Sequence, residues 1–556
     1  MKYKSVVVLS VVMVLIGFNS VFGQKDTRPN IIVIMADDLG YSDLGSYGGE
    51  INTPALDGLA KNGLRFTQFY NASRCCPSRA SLLTGLYPHQ AGIGAMTMDR
   101  NLPGYRGYLT ENTVTIAELL KKAGYHTGMV GKWHVSNTIE QKKDEQLKWL
   151  AHQTSYPAFS PLSQYPTNRG FDKYYGNIWG VVDFFDPFSL VNGTEPVQSV
   201  PQDYYHTTAI GDTAIAYVDE FTQDDKPFFL YIAHTAPHWP LHALPEDIKK
   251  YENTYTAGWD AIRKARYHKM LKSGLIKSEN TLLSPGMFPD KQWKNNPDKQ
   301  WDARAMAVHA AMVDRMDQTI GKLIKKLKEK GELDNTLIFF LSDNGASYEI
   351  PAKYGPGFDR AGSTRDGRKV IFPVDKEVLP GPQTVHAGIG PEWANVANTP
   401  LRYYKSKQHE GGIATPLIVH WPKRIHKIGK IIGQPGHVMD IMATCLDVSG
   451  TGYPKTFDGR NITPIQGKSL LPVFSGKKQN GHDVLFWEHL GACAIRQGDW
   501  KLVKLDRKSE WELYNLDKDR TELNDLSGKY PEKVKALSVL WQKMAHDLKV
   551  FPNPDI

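Results

Sequence analysis

Two apolar runs constrain this chain more than any other feature. NIIVIMA at 30–36 breaks into Asp37-Asp38, and TLIFFLS at 336–342 breaks into Asp343-Asn344. Each is short and lacks polar alternation, so each reads as a strand buried on both faces (Ile31–Met35 and Leu337–Leu341). Strands of that kind belong to parallel sheets covered by helices on both sides. Further strands are expected at Leu64–Tyr70, His126–Val130, Phe228–Ala233 and Pro416–His420, with helices between them. In NTPALDGLAKNG, Thr53 is placed to cap, Pro54 suits the first turn and Gly63 ends the helix. NTVTIAELLKKAG ends in the same way at Gly124. Ala305–Lys328 has helical periodicity with a solvated basic tail. The body from Arg28 to about Arg424 is therefore an α/β sandwich around a large mixed, mostly parallel sheet.

From about Ile425 the pattern changes. A helix near His437–Asp447 precedes four short runs, DVLFWEH, ACAIRQ, WKLVKL and WELYNL, separated by turn residues, and a last helix over Pro531–Leu548. This reads as a smaller antiparallel sheet plus helix. The division is 24–424 for the larger domain and 425–556 for the smaller. Residues 273–300, rich in Ser, Pro, Asn and Lys, and the Gly-rich 351–390 read as long surface loops. Residues 1–23 have two lysines, an apolar run from Val6 to Phe18 and small residues near Gly23, the layout of a cleaved export signal. The run is short for a bilayer span. The mature chain is expected to be exported, periplasmic or secreted, with no membrane insertion. Its formal charge of +8 falls to about +6 without Lys2 and Lys4. No basic stripe with interleaved aromatics marks a nucleic-acid surface. Export permits disulfides, and Cys445 and Cys493 are either bridged or buried as free thiols.

The acidic pairs carry the first chemistry. Ligands of open α/β sheets bind at the carboxyl ends of the strands, where Asp37, Asp38, Asp343 and Asn344 sit. One aspartate after a strand is usually a turn or a cap. Two such groups after two buried strands instead suit a hard cation bound by oxygen, Ca²⁺ or alternatively Mg²⁺.

The second motif is NASRCCPSRASLLTG at 71–85. Adjacent cysteines do not pair readily. Cys75 stands two residues before Pro77 and four before Arg79, in the pattern C-x-P-S-R followed by L-T-G. Here the chain resembles the type I sulfatases of the alkaline phosphatase superfamily, in their arylsulfatase-like branch. GKWH (Lys132, His134), TAPHWP (His238) and LRYYKSKQHEGG (Lys405, Glu410) extend the resemblance along nearly the whole chain, as do GFDKYYG and the C-terminal GDWKLVKL. Two departures stand out: Tyr403-Tyr404 where the family often has Gly-Gly or Cys-Gly, and Ala414 where it commonly has arginine.

The resemblance implies that a formylglycine-generating or anaerobic sulfatase-maturating enzyme oxidises Cys75 to formylglycine, an aldehyde whose hydrate is a geminal diol. It implies that Asp37, Asp38, Asp343, Asn344 and modified Cys75 hold Ca²⁺. Asp343 would help deprotonate the attacking hydroxyl, and Arg79 and Lys132 would hold the diol. Lys405 and His238 would bind sulfate, His238 protonating the leaving oxygen, and His134 would remove a proton from the second hydroxyl to expel sulfate. Taken alone, the lysines could be surface groups and the histidines hydrogen-bonded strand ends; their joint occurrence in family order favours function. The expected substrate is a sulfated saccharide, a galactose or hexosamine sulfate of a glycan. Glu488, His489 and Arg496 are candidates to reach the sugar, with solvated strand positions as the alternative. Arg360, Arg365, Arg368 and Lys369 are expected to be solvated, and Trp179, Tyr403 and Tyr404 to pack rather than stack on sugar. The competing activities are a phosphodiesterase or phosphonate monoester hydrolase of the same superfamily, and a non-catalytic glycan-binding relative.

Overall fold

The computed structural model describes residues 26–152, 158–286, 290–351, 360–477 and 481–552; the expected leader at 1–23 lies outside them. Seven strands form the body of the large sheet: β1 Asn30–Ala36, β2 Leu64–Tyr70, β3 His126–Gly131, β4 Lys173–Asn177, β5 Phe228–Ala233, β6 Thr336–Ser342 and β7 Ala414–His420. Their spatial order is β2-β7-β6-β1-β5-β3-β4, with short strands added at both margins. All run parallel except β7, which is antiparallel to both β2 and β6. The unbroken apolar runs have their explanation in this order. β1, β5 and β6 lie at the centre, and every residue in them is buried. Successive side chains leave the sheet on opposite faces, so Ile32 and Ile34 join one core while Ile31, Val33 and Met35 join the other.

Register fixes where the chemistry falls. Ala36 lies beside Ser342, Met35 beside Ala233, and Gly131 beside Ala233. β1, β6, β5 and β3 therefore end level, and Asp37, Asp343, His234 and Lys132 emerge together at one edge. β2 ends at the same edge, since Tyr70 lies beside Ala414. Because β7 runs the other way, that edge receives the residues before it rather than after it. Topology thus brings the segment 403–413 to the ends of the parallel strands.

The helix over Lys299–Glu329 packs its apolar stripe, including Val308, Met312 and Ile320, on one face of the sheet. Its Asp317 corrects the expected cap at Thr53. The Asp317 carboxylate accepts the Ala55 and Leu56 N–H groups, whereas the Thr53 hydroxyl accepts from Gly45 and donates to Asp57. A carboxylate from another helix satisfies the first-turn donors, a partnership that local sequence does not reveal.

The C-terminal sheet has the expected four antiparallel strands, β8 Val484–His489, β9 Ala492–Gln497, β10 Trp500–Lys504 and β11 Glu512–Asn515, packed against the helix Pro531–Asp547. Trp487 Nε1 donates to the Asn71 carbonyl at 2.8 Å, tying this sheet to the segment before Cys75. All four cysteines are free and buried, so Cys445 and Cys493 are unbridged. Among the described residues no helix is long and apolar enough to cross a membrane.

Candidate active site

Cys75 is the first residue of the helix Cys75–Thr84, which follows β2 after a short turn. Arg79 lies one turn further on the same helix face and is fully buried. Its Nε and Nη2 donate to Asp343 Oδ2 at 3.0 and 2.8 Å, and its Nη1 donates to the Lys132 carbonyl at 2.9 Å. Lys132 Nζ donates to Asp37 Oδ2 at 2.5 Å. From the opposite side, Lys405 Nζ lies 2.9 Å from the Asp38 carboxylate, 3.1 Å from Glu349 Oε2 and 3.2 Å from His238 Nε2. His238 Nδ1 faces the Trp239 carbonyl at 2.5 Å and so carries a proton, which leaves Nε2 as the acceptor when the ring is neutral. Asp37, Asp38 and Asp343 are thereby matched by Arg79, Lys132 and Lys405, all buried. Unpaired charge would be far too costly at that depth.

The environment sets distinct protonation behaviour. Burial pushes the Asp343 carboxyl well up, and the adjacent Asp37 charge adds to this against Arg79. Burial also lowers His134 to about 4, so its imidazole is neutral near neutral pH. The Cys75 thiol is held well below its ordinary value by its hydrogen bond with Cys76, with Lys132 and His134 adding to this against burial. Its place at a helix N-terminus acts in the same direction.

Asp37 Oδ1 and Asn344 Oδ1 are buried and have no hydrogen-bond partner among the described residues. Asn344 spends its amide N–H groups on Asp38 Oδ1 at 2.6 Å and the Gly345 carbonyl at 2.9 Å, so its oxygen is the uncommitted end. Orphaned acceptors beside two more carboxylates, one of them driven toward protonation, fit a hard divalent cation: it would satisfy the oxygens and stabilise the charged form of Asp343. Backbone strain gathers here as well. Asp38, Ser73, His134, Tyr403 and Ser406 all hold positive φ between 54° and 69°, conformations that non-glycine residues adopt only when their surroundings compensate.

Two site residues, Glu349 and Arg74, carry no motif of their own. Glu349 accepts from Lys405, from Trp239 Nε1 at 3.0 Å and from Arg74 Nη1 at 2.9 Å. Burial alone would raise its pKa, but Lys405 and Arg74 outweigh that and hold it far below the carboxylate range. The signal for Glu349 was an acidic residue in the loop directly after SDNG; the signal for Arg74 was its adjacency to Cys75. Of the three candidate sugar-binding residues, Glu488 accepts from His89 at 2.8 Å, and Arg496 donates to the Tyr70 hydroxyl at 2.6 Å, so both are engaged within the protein. His489 is buried, its Nδ1 has no hydrogen-bond partner among the described residues, and burial together with the charge of Arg74 lowers its pKa to about 3. Arg365 and Arg368 bind Asp186 and Asp366 at the surface, but Arg360, expected in solvent, is buried against the Phe372 ring. Trp179 packs on Phe188, and Tyr404 stacks on Tyr348.

A narrow cleft bordered by Asp38, Trp239 and Glu349 opens at this site. Across Gly388 and Ile389, which line both, lies a cavity of about 590 Å³ walled by Trp259, Trp301 and Trp393.

Residues 29–451 match the family model described as Sulfatase, and residues 402–549 match one described as N-sulphoglucosamine sulphohydrolase, C-terminal. An uncharacterized sulfatase of Schizosaccharomyces pombe is 33% identical over 575 residues, spanning 96% of each chain. The arylsulfatase of Klebsiella aerogenes is 32% identical over 496 residues, 85% of this chain and 97% of that one. Among solved structures, Ps i-CgsB in complex with k-i-k-neocarrahexaose is similar at a TM-score of 0.64 and 26% identity, covering 93% of both chains. A buried cluster of balanced cations and carboxylates around the cysteine of C-x-P-S-R, on an α/β sheet matched along most of its length, makes this chain a member of the sulfatase family, a sulfuric ester hydrolase.

Proposed function

We propose that this enzyme removes sulfate from a saccharide, using formylglycine made from Cys75 and Ca²⁺ held by Asp37, Asp38, Asp343 and Asn344. The observation that carries this reading is the pair of orphaned oxygens, Asp37 Oδ1 and Asn344 Oδ1, beside three buried cations paired with the Asp343, Asp37 and Asp38 carboxylates. When bound, the cation lowers the pKa of an oxygen it coordinates and neutralises charge on the sulfuryl group. The hydrated aldehyde would supply a hydroxyl nucleophile where the unmodified chain has only sulfur.

The protein's own groups do the rest. Arg79 and Lys132 set a fixed positive field on the Asp37–Asp343 side, and Lys405 sets one on the Asp38 side. A sulfate between them is held without further reorganisation of the site. His238 is oriented by the Trp239 carbonyl. An arriving anion raises its pKa and loads Nε2 with the proton that the leaving sugar oxygen needs. His134, neutral because it is buried, is free to accept a proton beside Cys75. Glu349 orients Lys405 and Arg74 without itself meeting sulfate.

The saccharide preference is supported by the tryptophan-walled cavity that adjoins the cleft, and by a 26% identical structure determined with a neocarrahexaose. In this reading the first 23 residues direct export, a maturating enzyme acts on Cys75, and residues 425–556 form a subdomain. The test pairs peptide mass spectrometry with a substrate panel. The peptide containing residue 75 should carry an aldehyde in protein from a maturation-competent host. That protein should cleave position-defined sulfated sugars faster than phosphate diesters or phosphonates. Unmodified Cys75 in fully active protein, or a preference for phosphorus esters, would overturn the proposal.

A further inference from the structure

The reaction leaves Cys76 without a task, yet Cys76 completes a second donor cluster beside the first. Cys75, Cys76 and His134 each place one ligand atom within 4.8 Å of the others. The Cys76 sulfur also lies 3.6 Å from the Met96 thioether and 3.6 Å from the Ala95 carbonyl oxygen. Cys75, Cys76 and His134 are 2%, 0% and 6% exposed, so the cluster is shielded from water. His134 Nδ1 is buried without a hydrogen-bond partner among the described residues, and His134 is held at a positive φ of 54°.

This donor set is the chemical opposite of its neighbour. Asp37, Asp38, Asp343 and Asn344 offer hard oxygens that suit Ca²⁺. Two thiols and an adjoining thioether are soft donors and the imidazole is borderline, a set that suits a soft ion such as monovalent copper rather than Ca²⁺. An ordinary core cysteine needs one weak contact, which the Ala95 carbonyl already supplies. It does not need a second thiol, a thioether and an imidazole around it.

We propose that the chain before modification binds one Cu⁺ ion through Cys75, Cys76 and His134, with Met96 as the adjoining thioether donor, and that this ion withholds Cys75 from further chemistry. Binding forms metal–sulfur bonds as the two thiols release their protons to solvent. Copper remains monovalent and no electron is transferred. Only the consequence for maturation rests on the proposed role of Cys75 as the aldehyde precursor; the site itself does not.

The experiment uses the full chain produced without a maturating enzyme, with the Cys75 thiol verified by mass spectrometry. The chain is titrated anaerobically with Cu⁺ against a chromophoric chelator, and thiolate-to-copper absorption is followed in the ultraviolet. One equivalent should bind. Cys76→Ser should weaken binding by at least about 100-fold and Met96→Leu by about 10-fold, with Ca²⁺ uptake unchanged in Met96→Leu. Should Cys76→Ser fail to fold, alkylation of the wild-type chain decides the matter, because bound Cu⁺ should protect Cys75 from iodoacetamide. Equal copper uptake by wild type and Cys76→Ser, or alkylation of Cys75 at the same rate with and without Cu⁺, would overturn the proposal. Neither readout depends on hydrolysis, so failure here leaves the sulfatase reading standing.

Discussion

Replacing Lys501 with methionine tests how the C-terminal sheet supports the active site. Lys501 lies on β10 and is fully buried. Its Nζ donates to Glu410 Oε1 at 2.9 Å and to Glu522 Oε1 at 2.8 Å. Glu410 Oε2 accepts the Tyr70 hydroxyl at 3.0 Å and also pairs with Arg520, while Glu522 Oε2 accepts the Glu410 backbone N–H at 2.8 Å. At an effective dielectric constant of about 20, each lysine–carboxylate contact at this distance is worth about 6 kcal/mol before desolvation. Withdrawing the lysine from water costs several kcal/mol, so the intact pairs contribute little net stability. The asymmetry appears on truncation: Lys501→Met keeps the volume but strips Glu522 of its lysine and leaves Glu410 with Arg520 alone. Breaking such a pair costs about 3–5 kcal/mol, a large part of the stability of an ordinary protein. Urea unfolding followed by tryptophan fluorescence should show that loss, while Lys508→Met on an exposed turn should change stability by no more than about 0.5 kcal/mol. Adding Glu522→Gln to Lys501→Met should restore at least about 1 kcal/mol, because one of the stranded charges is gone. Activity should fall as well, since Glu410 anchors the segment that carries Lys405. A loss under about 1 kcal/mol for Lys501→Met, the behaviour of exposed ion pairs, would refute the reasoning.

Four other outcomes are expected. His238→Ala should lower kcat/KM for an alkyl or sugar sulfate by about 10²–10⁴-fold but affect a nitrophenyl sulfate far less, because a good leaving group needs no proton; equal losses would remove its role as acid. Cys75→Ser should complete at most one turnover and retain sulfate covalently, since a single hydroxyl gives no route to expel it; sustained turnover would contradict the aldehyde. Chelation should abolish activity and lower the unfolding midpoint, with Ca²⁺ restoring both, whereas a chelator-insensitive midpoint would argue against a cation at Asp37 and Asn344. Burial holds His206, His234 and His437 at about 3 in the fold, against 6.5 for an exposed imidazole. The unfolded chain therefore binds more protons below about pH 6.5. Their contribution is fully present above that pH and is lost as pH falls toward 3, by about 1.4 kcal/mol per pH unit for each histidine; a urea midpoint unchanged between pH 7 and pH 5 would exclude this.

The parts of the site that were legible in the sequence are those written into short, contiguous signals. IIVIMADD and FFLSDNG couple a buried strand to the residues at its end, so both the sheet and the candidate cation cradle follow from one pattern. The match of C-x-P-S-R to the sulfatase motif singles out Cys75 over Cys76 as the candidate precursor. The remainder depends on partners far away in sequence. Glu349 joins the site only because Arg74 and Lys405, from the adjoining ends of β2 and β7, both need a counter-charge. Arg496 has the look of a residue that could reach a sugar, yet it is drawn to Tyr70, 426 positions away, by a buried network of charges that no local window contains. The antiparallel strand β7 is the deeper example. Its apolar run resembles those of its parallel neighbours, and nothing in it states its direction. Reversal of this one strand places Lys405 ahead of the strand rather than behind it, where it faces Asp38 across the site. A cation on that side of the sheet balances the second carboxylate of the Asp37-Asp38 pair, which Lys132 and Arg79 leave to it.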